Sequence, residues 1–110
     1  MWLGSSLEDL RGFPEDARRH AGYQLRRVQE GLDPNDWKAM PEVGPGVKEV
    51  RLHTGTEHRV FYVARFPEAV YVLNAFEKKA RKTPKYELEL GQKRYRDLVK
   101  ARRKERHGKG

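Results

Sequence analysis

Glu49-x-Arg51 and Arg59 stand on either side of one short gap, and the segment Lys78-Lys79-Ala80-Arg81-Lys82-Thr83-Pro84-Lys85 soon follows with five cations and no carboxylate. Alternation along a strand puts Glu49 and Arg51 on one face and Val50 and Leu52 on the other. Arg59 begins the next strand, opposite that pair. Lys78 and Lys79 leave the end of the strand after it. Arg51, Arg59, Lys78 and Lys79 are therefore expected to converge on one open face of a small sheet. The plainer reading of the same residues is a solvated face with a Glu49–Arg51 or Glu49–Arg59 ion pair, which is worth little on a surface. Clustered guanidinium and ammonium groups suit one reaction that needs neither a protein nucleophile nor a metal. An RNA strand carries its own nucleophile, the 2′-hydroxyl. Cleavage requires that hydroxyl aligned with the adjacent phosphate, the growing negative charge stabilised, and the leaving 5′-oxygen protonated. Arg and Lys clamps supply the charge stabilisation, and positioning supplies much of the remaining rate.

The residues exclude other chemistries. There is no Cys, so a disulfide framework, a thiolate nucleophile and a Cys-based zinc site are all absent. Ser5 and Ser6 are the only serines, and both sit at a helix start, which argues against a serine hydrolase. Of the four histidines, His20 falls on the solvent side of a helix and His107 in the tail. His53 and His58 flank a turn without carboxylates at metal-ligand spacing, so no metal or other cofactor is expected. His58 is adjacent to Arg59 and should point to the opposite face.

These residues need a scaffold. Val47–Leu52 alternates, and Arg59–Arg65 and Val70–Phe76 are rich in β-branched and aromatic residues, so three strands are predicted. Gly55 and Pro67 lie in the gaps, and both connections read as hairpins. Upstream, Ser5-Ser6-Leu7-Glu8 matches a capping box for a short helix from about Ser6 to Arg11. Pro14 suits the start of a second helix, with Ala17, Ala21, Leu25 and Val28 as its apolar stripe and Gly31 as its stop. Leu32–Gly46 reads as a loop pinned by Trp37 and Met40. Its Gly44-Pro45-Gly46 is no phosphate loop, since no Lys-Ser/Thr follows and a strand comes next. Thr83 and Pro84 open a last helix with Leu88, Gly91, Tyr95, Leu98 and Val99 on its apolar face. Trp2-Leu3 is a remnant of an edge strand. The class is α+β: two N-terminal helices packed on one face of a small antiparallel sheet of three to four strands, plus a C-terminal helix.

With 110 residues, 36% of them hydrophobic, the chain fits one small domain, expected over residues 1–104, with 105–110 as a disordered basic tail. Net charge is +8 and uneven: residues 1–47 hold six basic and eight acidic side chains, and residues 48–110 hold eighteen and eight. A basic half favours nucleic acid, an acidic protein partner or an anionic surface. No apolar run approaches the ~20 residues of a membrane span. Met1–Gly4 is too short for a secretory signal peptide, so a cytoplasmic protein is expected.

The same text resembles a known family, the RelE/HigB superfamily of bacterial toxins, and within it the phage-derived Gp49-like group. The matching runs are Trp2-Leu3-Gly4-Ser5-Ser6, Phe13-Pro14, Gln29-Glu30-Gly31, Val47–Arg51, His58–Tyr62, and Val72–Lys79 followed by Lys82-Thr83-Pro84. The resemblance implies a compact α+β toxin of a type II toxin–antitoxin pair. It further implies metal-free cleavage of mRNA in the ribosomal A site, and a helix-turn-helix antitoxin of the HigA-like kind. Carried over position by position, it makes Arg59 and Lys79 the catalytic cations and Tyr86 a loose counterpart of the family's C-terminal tyrosine. Arg51, Lys78, Arg81 and Lys82 would hold RNA. Glu49 stands where the RelE toxin has a second lysine. The ParE branch shares the fold and poisons gyrase, so a toxin-fold module without nuclease activity is the alternative.

Overall fold

The chain is described by a computed structural model over residues 1–108. Its elements are α1 (Ser6–Arg11), α2 (Glu15–Gln29), β1 (Trp37–Ala39), β2 (Val47–His53), β3 (Glu57–Val63), β4 (Tyr71–Glu77) and α3 (Lys85–Gly108). The four strands form one antiparallel sheet in the order β1-β2-β3-β4. The two long hairpins are those expected. Gly55 turns the first with φ +91°, a conformation that costs a residue without Cβ little. Trp2 bridges Val72 on the outer edge of β4, in parallel, which bears out the edge remnant.

Helix α2 forms as its periodicity requires. Ala17, Ala21, Leu25 and Val28 are all buried, against Val50, Leu52 and Val60 of the sheet. It ends in a Schellman arrangement: Leu32 N–H donates to Arg27 O and Gly31 N–H to Val28 O, with Gly31 at φ +85°.

The two N-terminal helices pack on one face of the sheet as expected, and the C-terminal helix takes the other. Gly91, Tyr95 and Leu98 of α3 lie on the opposite face, where Val47, Phe61, Val63, Leu73 and Phe76 form a second core. The sheet therefore separates two apolar cores, and the face carrying Glu49 and Arg51 is not left open. Gly91 permits the approach: a Cβ there would lie 3.0 Å from Val43 and 3.3 Å from Phe61. Asn74 fixes the start of the helix by donating to Glu87 O at 3.0 Å.

Several local expectations are also corrected. The Leu32–Gly46 loop contains β1, which pairs Trp37 with Val50 and Ala39 with Lys48. Met40 is buried as an anchor, but Trp37 is exposed, with the Lys48 ammonium 4.2 Å above its ring. Ser5 makes no cap; its hydroxyl donates to Asp9 and accepts from Arg94. The first turn of α3 is closed by Pro84 O, which accepts from Glu87 and Leu88, and not by Thr83. Helix α3 runs on to Gly108, past the expected boundary at residue 104, and residues 109–110 of the expected tail lie outside the described residues.

Candidate functional site

The β2–β3 register sets Arg51 directly opposite Arg59 and His53 opposite Glu57. Period-two alternation brings Glu49, Arg51 and His53 of β2 and Glu57 and Arg59 of β3 to one face. Six side chains there alternate in sign. Asp36 contacts His53 at 2.6 Å, and His53 contacts Glu57 at 2.7 Å. Glu57 pairs with Arg59 at 3.1 Å; Arg59 approaches Glu49 at 3.7 Å, and Arg51 reaches Glu49 at 3.3 Å. The hydrogen bonds that His53 donates to Asp36 and then to Glu57 raise its pKa, so its imidazolium persists above the usual range. The same hydrogen bond from His53, followed by that of Arg59, lowers the pKa of Glu57.

Burial is uneven along this chain of charges. The ends are solvated, but the side chains of Arg59 and Glu49 are only 7% and 4% exposed. Arg59 was expected to project from an open face. It is instead enclosed by Glu49 and Glu57, with its Nη1 also donating to His58 O. Arg59 Nε and Glu49 Oε2 are buried without a hydrogen-bond partner. A guanidinium held this way is pre-positioned, and its fork is largely occupied by carboxylates.

The other expected residues divide between two places. Lys78 continues the β3–β4 ladder by donating its amide to Glu57 O at 2.7 Å, next to the charged array. Lys79 is 83% exposed and pairs with Glu77 at 3.5 Å. Glu77 lies opposite His58 in the ladder, so Lys79 is linked to the face away from Arg59. Tyr86, 69% exposed, lines a cleft of about 580 Å³ between α1 and α3 with His58, Glu77 and Phe13. His58 indeed points away from Arg59, its ring 4.3 Å from that of Phe13. Arg81 and Lys82 are exposed in the segment before α3. Arg51 and Arg59 are thus brought together, while Lys79 and Tyr86 stand apart from them.

Sequence reasoning missed the Asp36–His53–Glu57 contacts. His53 and Glu57 flank the Gly55 turn and were recoverable as a cross-strand pair. Asp36 was not, because β1 went unread. Among the described residues, no group of His, Asp and Glu is placed to hold a metal ion. No helix is long and apolar enough to cross a membrane.

The family model described as "Phage derived protein Gp49-like (DUF891)" matches residues 8–96. The chain belongs to this family. The Gp49-like family is a RelE/HigB-like toxin group, so at family level the chain is a toxin of the toxin–antitoxin kind. The match covers β1 to β4, both N-terminal helices except the first residues of α1, and the first half of α3. Every expected site residue falls inside it. Comparison with curated proteins finds no match.

Proposed function

We propose that this Gp49-like toxin is a metal-independent, ribosome-dependent mRNA endoribonuclease that inhibits translation in the cytoplasm, held silent by a HigA-like helix-turn-helix antitoxin. The observation that carries this reading is the Arg51–Arg59 pair, two guanidiniums facing each other across one hairpin beside Lys78. In the reaction the 2′-oxygen attacks phosphorus, the P–O5′ bond breaks, and a 2′,3′-cyclic phosphate and a 5′-hydroxyl form. Arg59 takes the charge that grows on the non-bridging oxygens. To do so it exchanges Glu57, the more exposed of its two carboxylate partners, for the scissile phosphate. Arg51, Lys78, Arg81 and Lys82 position flanking phosphates. Lys79 and Tyr86, both exposed on the surface, complete the site when RNA is bound: Lys79 adds charge stabilisation, and Tyr86 holds a base or shares proton transfer. A site so dependent on exchange of partners has little activity on free RNA and relies on the ribosome to preset the in-line geometry.

One observation favours a second reading. The enclosure of Arg59 by Glu49 and Glu57 suits a structural role, in which case the toxin fold would act as a binding module against a protein target such as gyrase. Primer extension on a single mRNA, with and without ribosomes, separates the two. The nuclease reading expects cuts within or beside A-site codons only when ribosomes are present, with 2′,3′-cyclic phosphate ends. Growth arrest by the intact protein without any such cut would leave the binding module.

A further inference from the structure

The far end of α3 builds a second basic feature that the candidate site does not use. From Lys93 to Arg106 the helix carries eight basic and two acidic residues. There, a pocket of about 380 Å³ is lined by Arg65, Phe66, Tyr95, Arg102, Arg103 and Arg106, together with Pro45 and Val99. The Gly44-Pro45-Gly46 loop borders it through Pro45. The Tyr95 ring rests on Gly44, where a Cβ would sit 2.6 Å from it, and its hydroxyl donates to Pro45 O at 2.9 Å. Gly46, at φ +80°, lets the stem of Arg65 lie on the backbone, since a Cβ would meet Arg65 Cδ at 2.5 Å. Two guanidiniums approach the Phe66 ring, Arg102 at 3.8 Å and Arg65 at 5.5 Å. Arg102 is neutralised by a two-point contact with Glu68. Among the described residues, no ion pair joins Arg65, Arg103 or Arg106 to a carboxylate.

We infer that this pocket and the adjoining basic stripe of α3 bind the phosphodiester backbone of RNA, at a surface separate from the proposed cleavage site. Three guanidiniums without a carboxylate partner among the described residues surround one concavity and match the bidentate geometry of phosphate oxygens. A protein partner would call for an exposed aromatic or apolar anchor. None of the exposed large hydrophobic side chains, Met1, Trp2, Tyr23, Leu32, Trp37 and Tyr86, lines this pocket, although Met1 lies beside Arg102 in a neighbouring one. At ~1.5 Å per residue, Arg106 is roughly 30 Å along the helix from Lys85. The two ends of α3 thus grip one RNA at two distant points. The choice of RNA as the anion rests on the proposed function.

The test is fluorescence anisotropy with a labelled RNA duplex of about 16 base pairs, measured across a salt series. The variants are the triple Arg65→Gln/Arg103→Gln/Arg106→Gln, the single Arg103→Glu, and a charge-matched control, Arg11→Gln/Arg18→Gln/Arg19→Gln. All these positions are exposed, and circular dichroism checks that the fold is kept. The pocket triple is expected to weaken binding on the order of 10²-fold near 0.1 M salt and to lower the salt slope by about 2–3, as for two to three lost phosphate contacts. Arg103→Glu should move both in the same direction, and the control triple should stay within about threefold of wild type. Equal weakening by both triples, or wild-type affinity and slope in the pocket triple, overturns the inference. So does a polyglutamate peptide whose binding, and not that of the duplex, depends on the pocket. The duplex is bound uncut, so this outcome is independent of cleavage. Pocket-dependent binding without ribosomal cleavage contradicts the proposed function alone. Ribosomal cleavage with no pocket dependence contradicts this inference alone.

Discussion

Removing the Arg59 guanidinium would leave the buried carboxylate of Glu49 facing Arg51 alone. Breaking a buried pair from one side costs about 3–5 kcal/mol, and the remaining Arg51 contact sets that range as an upper bound. Urea unfolding should therefore show Arg59→Ala clearly destabilised. The double variant Arg59→Met/Glu49→Leu should recover much of the loss, because apolar replacement of both partners removes the stranded charge. If Arg59→Ala unfolds like wild type, the enclosure described here is wrong. Arg59→Lys should keep the charge but lose the fork that contacts Glu57 and the His58 carbonyl, and it should not restore full cleavage. The residue type at position 59 was readable in the sequence. Its burial was not, because alternation assigns a face without saying what encloses a side chain there, and Arg59 is enclosed by Glu49 of the neighbouring strand and Glu57 of its own.

The β2–β3 hairpin carries a pH dependence of its own. His53 has a raised pKa in the fold, so its pairing with Asp36 and Glu57 stabilises fully below the unfolded value of 6.5 and is lost as pH rises through the folded value. Glu57 has a lowered pKa, so its share is present above 4.5 and lost as pH falls through the folded value. Thermal unfolding should show the hairpin contributing most between those limits, and His53→Gln should flatten the decline above pH 6.5. An unchanged profile in that variant would remove the three-residue contact from the account. In α2, Leu25→Ala should cost roughly 2–5 kcal/mol, because Leu25 is buried among Ala21, Val28 and Leu52. On the other face, Gly91→Leu should cost about 1–3 kcal/mol or more by forcing α3 from Val43 and Phe61. Helix α2, the three long strands and the apolar face of α3 were legible because each has its own period. Strand β1 was not: three residues show no period, and Trp37-Lys38-Ala39 becomes a strand only by pairing with β2. The capping residues misled because Ser5 and Thr83 have the right chemistry, while the structure commits Ser5 to Asp9 and Arg94 and gives the α3 turn to Pro84.

For the whole molecule, the unequal charge of the two halves favours an antitoxin that covers the basic half, and a structure of the complex should place part of it over Arg51, Lys78 and the segment to Lys85. Contacts confined to α1 and α2 would point instead to steric exclusion from the ribosome. Long-range organisation was the part least visible in the sequence. The RelE/HigB resemblance supplied the fold, but not the placement of Lys79 and Tyr86 beside Glu77 and His58, which face away from the Arg51–Arg59 pair. The most direct measurement is the single-turnover cleavage rate of mRNA positioned in the ribosomal A site, comparing wild type with Arg59→Ala and Lys79→Ala, each shown to be folded at the assay temperature. Each variant should be slower by on the order of 10²-fold, as for loss of one preorganised charge-stabilising group. Folded variants that cut and arrest growth like wild type would contradict the account.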